Sequence, residues 1–291
     1  IDFSYRGIEL GESYEEMVNK IGQPRMDISH LTDTAVVTYY IYGENNDTRI
    51  GIDEATKKVV DIRISDKTYA MSEHESKMEL KEFGVAVKDE YIVTSAEEAE
   101  KMAAELNTAV AMKVESSDIL HKSDVGGVLL NITEPEAAGN AYRQIIENVT
   151  KRCPEANING VLMAPMLKSG VEMIIGVNND PQFGPIIMVG MGGIFVELFK
   201  DVALYPAPLN EGEALEMLRS LKAYKLLSGY RGKEPCDIEA LCKTIVSVGD
   251  FAAANKDSLK ELDINPLFVY PKGQGAGVAD ALIIKYGEND K

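Results

Sequence analysis

A mixed α+β architecture in two parts is predicted by three features of this 291-residue sequence. Residues 1–70 carry short runs of alternating apolar and polar side chains broken by turn residues, the period-2 signature of antiparallel strands. From Met71 onward, short apolar runs are interleaved with longer amphipathic stretches that open on helix caps. The interleaving lacks the strict strand–helix–strand repetition of a doubly wound parallel sheet. The length points the same way, because single cores stop growing near about 250 residues.

In the first unit, residues 1–70, Gly11–Ile21 reads as a helix. Ser13 stands at its start with Glu16 three residues on, the spacing of a capping box, and Gly22-Gln23-Pro24 stops it. Strands are expected over 35–42, 48–52 and 58–64, with turns at Asn45–Asp47 and after Asp53. His30 stands alone and is expected in a solvated loop. The opening Gly7-Ile-Glu-Leu-Gly-Glu-Ser13 and the run Tyr39-Tyr-Ile-Tyr42 resemble a small domain found ahead of CAP-type modules in Gram-positive bacteria. With Met71 at the junction, the unit reads as a fused or foreign one of unassigned role.

The second unit is expected over 71–291, with subdomains at 71–165 and 166–291. Ser72 caps a helix to Phe83, with Glu75 three residues on and Gly84 as its stop. Tyr91–Val93 is a short strand, and Ser95–Leu106 an amphipathic helix. The run Thr108–Met112 delivers Lys113 at a strand end, and Val128–Ile132 follows as the next strand. A helix over 134–151 ends before Pro154. Strands are expected over 160–166, 171–177, 184–189 and 194–198, helices over 210–221 and 237–254, then strands over 260–270 and 277–284.

The formal net charge of −17 argues against a nucleic-acid surface, which would need a basic stripe. No apolar run approaches the roughly 20 residues that span a bilayer, so no membrane segment is expected. Cys153, Cys236 and Cys242 are odd in number and lack metal-ligand spacing, so they read as free thiols in a reducing, cytoplasmic compartment.

Two constellations carry chemistry. Lys113 ends an apolar strand, where an ammonium either meets an anion such as a nucleotide phosphate or snorkels out of the edge. Eight residues later His121 could serve as base, nucleophile or structural histidine. Gly126-Gly127 gives a permissive backbone whose N–H groups could approach phosphate, or an ordinary hairpin turn. Asp263 and Asn265 alternate onto one face of a strand, and the next strand can bring Asp280 beside them. Oxygen ligands of this kind suit Mg²⁺, although solvated acids on an edge hairpin would read alike. Glu172 is a lone acid in an apolar strand. Met163, Met166 and Met173 read as core packing.

Several strings taken in order resemble the ATP-grasp domain of the ADP-forming acyl-CoA synthetases, relatives of succinyl-CoA synthetase. They are Ser72-Glu-His-Glu75, Asp118-Ile-Leu-His-Lys-Ser-Asp-Val-Gly-Gly-Val128, Gly176–Pro185, Gly192-Gly-Ile-Phe-Val-Glu197, Tyr230-Arg-Gly232 and Leu262-Asp-Ile-Asn-Pro-Leu267. The resemblance covers about residues 71–287 and implies an ATP-grasp fold. It implies that Lys113 meets ATP phosphates, and Gly126 and Gly127 stand beside it as cofactor-binding candidates. Met163, Ala164 and Met166 would lie at the adenine hinge and Glu172 near the ribose. Asn265 and Asp280 would hold Mg²⁺. His121 would be phosphorylated transiently, with Asp263 orienting it. Ala164 departs from the pattern, where a glutamine or glutamate is expected.

The resemblance also implies a partner, an α-type subunit carrying CoA-binding and a second phosphohistidine, since neither is visible here. The activity expected is phosphoryl transfer between ATP/ADP and a histidine within an acid–CoA ligase. The other reading is an ATP-binding regulatory or scaffold module without turnover. A fusion to a protein acetyltransferase would need a segment that this sequence does not contain.

Overall fold

The computed structural model describes residues 4–5, 8–9, 13–21, 26–31, 36–42, 48–53, 55–64, 68–193 and 200–287. The expected turn at Asn45–Asp47, the helix stop at 22–24 and the expected strand at 194–198 lie outside these residues. Two compact units emerge, 1–67 with 286–291, and 68–285.

The first unit contains β1 (Ser4–Tyr5) paired with β2 (Ile8–Glu9), then α1 (Tyr14–Ile21). The Ser13 N–H donates to Glu16 Oε2 at 2.8 Å and the Glu16 N–H to Ser13 Oγ at 3.3 Å, the reciprocal cap expected from their spacing. An antiparallel meander follows: β3 (Met26–Leu31), β4 (Val36–Tyr42), β5 (Thr48–Asp53) and β6 (Lys58–Ile64). The strand at 26–31 was not expected. It places His30 opposite Val37 in the ladder, so this histidine lies in a strand and not in a loop.

The second unit is built on two antiparallel sheets. Its chain order is β7 (Thr68–Ala70), α2 (Glu73–Glu82), β8 (Tyr91–Val93), α3 (Ala96–Leu106), β9 (Val110–Glu115), β10 (Val128–Ile132), α4 (Pro135–Arg152) and β11 (Gly160–Pro165). There follow β12 (Val171–Asp180), β13 (Gly184–Met191), β14 (Val202–Pro206), α5 (Glu211–Ser220), α6 (Tyr224–Leu227), α7 (Ile238–Ala254), β15 (Leu259–Val269), β16 (Ala276–Val278) and β17 (Ala281–Tyr286). The first sheet runs β10-β9-β11-β8 and shares a core with α3 and α4, where Met112, Ile145, Val161 and Met163 are buried. The second runs β14-β13-β12-β15-β17-β7, with β16 beside β15. Its core joins Ile175, Ile187, Leu218, Ile245, Phe251 and Ile283.

Helix α2 belongs energetically to the second sheet, although it precedes the first in the chain. Leu80 and Val85 enter the second core, and the Phe83 ring meets Phe251 edge-on at 5.3 Å. The Ile283 N–H donates to Ser76 Oγ at 3.1 Å. Burying Leu80 alone contributes roughly 1.5–3 kcal/mol. The helix starts where the sequence says: the Ser72 hydroxyl accepts from the Glu75 N–H, and the Glu75 carboxylate accepts from the Ser72 N–H.

The last strand differs from expectation. The run 277–284 divides into β16 and β17, and Ala279-Asp280 leaves the ladder between them. Pro266 opposite has no N–H to offer, so the ladder cannot continue past it. Instead Ala279 N–H donates to Pro266 O at 3.0 Å, and Asn265 N–H to Asp280 O at 3.2 Å. No helix among the described residues is long and apolar enough to cross a membrane.

Candidate functional site

Lys113 sits at the mouth between the two sheets. The β9 register places it opposite Val128 on one side and Leu162 on the other, and its side chain leaves the sheet toward α2 and β17. The ammonium donates to Glu73 Oε1 at 2.6 Å, to Ala279 O at 2.9 Å and to Asp280 Oδ2 at 3.2 Å. The division of the last strand is what frees the Ala279 carbonyl and turns Asp280 toward the lysine.

Behind Lys113 lies a buried charge network that the sequence did not disclose. Glu73 also receives Lys77 at 2.7 Å, and Lys122 stands 3.3 Å from its second oxygen. Lys77 donates further to Glu90 at 3.0 Å, and Glu90 pairs with His74 at 2.9 Å. Burial pushes the Glu73 carboxyl up, but Lys113, Lys77 and Lys122 outweigh it and hold it at about 2. Burial also pushes Lys77 down, and Glu73 with Glu90 reverses the direction. Glu115, beside them, is raised by burial, and its Oε2 has no hydrogen-bond partner.

A cavity of about 440 Å³ opens in front of Lys113. Ala111, Ala164, Met166, Glu172, Phe268 and Asp280 are among the residues that line it. The size fits a mononucleotide-scale ligand. The segment Met163–Met166 does pass along this cavity, but its groups are not equivalent. The Met163 side chain is fully buried in the first core, and so cannot touch a cavity ligand. The Met166 N–H is already given to Ala109 O at 2.8 Å, and Pro165 has none. The residues that follow, Leu167, Lys168, Ser169 and Gly170, also line the cavity. The small Ala164 side chain leaves room and offers no side-chain hydrogen bond. Glu172 is exposed and borders both this cavity and a neighbouring one of about 500 Å³ lined by Gly193, Tyr230 and Arg231.

Gly126 and Gly127 serve differently from the expectation. Their N–H groups are spent inside the turn, Gly126 on Ser123 O at 3.1 Å and Gly127 on Lys122 O at 2.8 Å, so they do not face a phosphate. Glycine is needed here for space: a Cβ on Gly127 would stand 2.7 Å from Val114 Cγ1 and 3.0 Å from Lys122 O. The turn thus presses Lys122 inward and leaves His121 outward. His121 is exposed, and its ring makes no hydrogen bond among the described residues.

Asp263 and Asn265 share the outer face of β15, as alternation requires, while Leu262 and Ile264 point into the core. Asp263 lines a groove of about 500 Å³ with Gly176, Asn178, Met188, Leu204 and Glu261. Burial and then Glu261 raise its carboxyl, and a hydrogen bond with the Asn265 side chain works against them. Asp280 is raised by burial and then by Glu73, with Lys113 opposing. Asp280 therefore joins Lys113 directly and Asn265 through the backbone. Asp263 and His121 share no hydrogen bond or ion pair among the described residues. Asn265 and Asp280 carry an amide oxygen and a carboxylate, the hard-oxygen chemistry that Mg²⁺ accepts with phosphate and water completing its shell. Buried Cys236 and Cys242 stand apart from the cavity, their thiols raised by burial, Cys242 to about 11.

The sequence matches the ATP-grasp domain family over residues 63–284. The chain belongs to the ATP-grasp family. This ATP-grasp chain is 48% identical over 234 residues to acetate–CoA ligase (ADP-forming) II subunit beta of Pyrococcus furiosus, covering 80% of itself and 99% of that subunit. It is 39% identical over 237 residues to 4-hydroxybutyrate–CoA ligase (ADP-forming) of Nitrosopumilus maritimus, covering 81% of itself and 34% of that longer protein. Among solved structures it resembles the dinucleotide-forming acetyl-coenzyme A synthetase 1 of Ca. Korarchaeum cryptofilum, in complex with coenzyme A and Mg-AMPPCP, whose phosphohistidine segment points towards the nucleotide-binding site. That match has a TM-score of 0.64 and 41% identity, and covers 75% of this chain and 93% of that one.

Proposed function

We propose that this chain is the nucleotide-binding half of an ADP-forming acyl-CoA synthetase. It passes a phosphoryl group between ATP/ADP and His121 while the complete enzyme converts acyl-CoA, ADP and phosphate to acid, CoA and ATP. The observation that carries this reading is Lys113, held by Glu73, Ala279 and Asp280 at the head of a nucleotide-sized cavity, with the His121 turn beginning eight residues later on the same strand exit.

Phosphoryl transfer asks mainly for positioning and for cations where charge develops on the equatorial oxygens. Lys113 supplies one such cation. Asn265 and Asp280 would hold Mg²⁺, which when bound neutralises phosphate oxygens beside the lysine. The base would lie against Ala164, Met166 and the hinge N–H groups that follow, with Glu172 toward the ribose. His121 must be neutral to attack phosphorus, and its exposure leaves it accessible to a visiting group. Asp263, in its own groove, would orient an imidazole only after a rearrangement or when a second histidine arrives there. Coenzyme A and that second histidine would come from an α-type partner subunit, as the beta-subunit relatives suggest.

Incubation with γ-labelled ATP and Mg²⁺, with the partner subunit supplied, tests this. Acid-labile label that is lost in His121→Ala is the expected result. A wild-type chain that binds nucleotide and takes no label would instead be the regulatory module.

A further inference from the structure

Glu73 is the first residue of α2, and its side chain is wholly shielded from solvent. Three ammonium groups converge on it from three parts of the chain. Lys77 comes from one turn further along α2, Lys113 from β9, and Lys122 from the turn that carries His121. Lys77 and Lys113 share Oε1. Lys122 faces Oε2 at ion-pair distance but without hydrogen-bond alignment. Lys77 has a second carboxylate in Glu90 and Lys113 has Asp280, whereas Lys122 has no other ion pair among the described residues.

This arrangement is costly unless its charges compensate one another. A buried carboxylate repays its desolvation only through close, well-placed cations, and three cations without it would repel one another in a region of low dielectric. Glu73 borders the cavity, but lysines flank both of its oxygens, two on Oε1 and Lys122 on Oε2. Its influence on the reaction then runs through the groups it holds. One of these meets the nucleotide, and another is the residue next to His121.

We propose that Glu73 is a positioning residue with two arms: through Lys113 it sets the place of the phosphate-binding ammonium, and through Lys122 it anchors the turn that presents His121. The proposal rests on the functional reading above for the second arm only. The first arm requires no more than nucleotide binding at Lys113.

The test compares Glu73→Gln, Glu73→Asp and Lys122→Met in the full chain. Calorimetry measures the Kd for Mg-AMPPCP. The rate of label transfer from γ-labelled ATP to His121 is measured with the partner subunit present. Glu73→Gln should weaken Mg-AMPPCP at least tenfold, and Glu73→Asp, which keeps the charge, should restore most of that loss. Lys122→Met should leave the Kd within twofold of wild type and slow labelling of His121 at least tenfold. A merely structural Glu73 would give neither the rescue nor the split. Glu73→Gln binding within twofold of wild type would overturn the first arm. Lys122→Met changing both quantities alike, or neither, would overturn the second. If Glu73→Gln does not fold, Glu73→Asp and Lys122→Met still decide: full binding by Glu73→Asp with the Lys122→Met split supports the proposal, and absence of the split overturns it. A wild type that binds Mg-AMPPCP but takes no label defeats the functional reading and leaves the Kd series to judge Glu73.

Discussion

At the scale of single residues, Asp280 shows how one side chain can be shared between two cations. It accepts from Lys113 now, and it would donate an oxygen to Mg²⁺ in the loaded cleft. Asp280→Asn keeps the shape and removes the charge. We expect the wild-type chain to gain thermal stability from saturating Mg-AMPPCP, about 2.7 kcal/mol at a hundredfold excess over Kd. The variant should lose most of that gain while its ligand-free melting temperature stays close to wild type. An equal ligand-induced shift in both proteins would remove Asp280 from the metal site. Lys113 and Asp280 were legible in the sequence, since a lysine closing an apolar strand and an acid in an apolar run are both out of place. Glu73 was not. A glutamate in the first turn of a helix is ordinary, because it complements the dipole there, and Glu73 with Lys77 has the i,i+4 spacing of a solvated surface pair. Only the packing of β9 and the His121 turn over α2 makes the pair internal.

At the scale of elements, caps and turns carry the argument. Ser72→Ala removes the hydroxyl that accepts the Glu75 N–H and should lower stability by about 1 kcal/mol in thermal or urea unfolding. Gly127→Ala forces a methyl against Val114 and the Lys122 carbonyl. It should cost roughly 1–3 kcal/mol and disturb the Lys122–Glu73 contact along with it. The capped helices could be read from the sequence because their signals are local. Strand β14 could not: Val202-Ala-Leu-Tyr-Pro206 shows no alternation, although its pairing with β13 buries Ala203 and leaves Leu204 exposed. The division of the last strand was equally hidden. Gly277–Ile284 reads as one apolar run, and its interruption depends on Pro266 in the neighbouring strand.

At the scale of the whole molecule, both cores of the second unit are composed of residues between Leu80 and Ile283. A chain of residues 68–287 should therefore unfold cooperatively and bind Mg-AMPPCP with the affinity of the full chain. Loss of binding in a folded product would show that residues 1–67 contribute to the site. Acid stability should report the buried network. The Glu73 carboxyl is held at about 2, below its ordinary 4.5. Its contribution is thus complete above about pH 4.5 and is lost as the pH falls toward 2, on the order of 3 kcal/mol in all. Unfolding free energies measured from pH 5 to pH 2 should fall more steeply for wild type than for Glu73→Gln. Asp263 and Asp280 act in the opposite sense. Raised by burial, they favour the fold most when protonated, and that contribution fades as the pH rises through their titration.

The break between β16 and β17 has a consequence for how the cleft is filled. It brings Asp280 and the Ala279 carbonyl onto Lys113, so an ammonium already neutralises the carboxylate that a metal ion would meet. On the proposed reading, loading would exchange one cation for another at Asp280. ATP free of metal would have to pull Lys113 away and leave Asp280 uncompensated, whereas a metal–nucleotide complex brings its own replacement. If Asp280 takes the metal, a single interrupted strand would make the site select the form in which its nucleotide arrives.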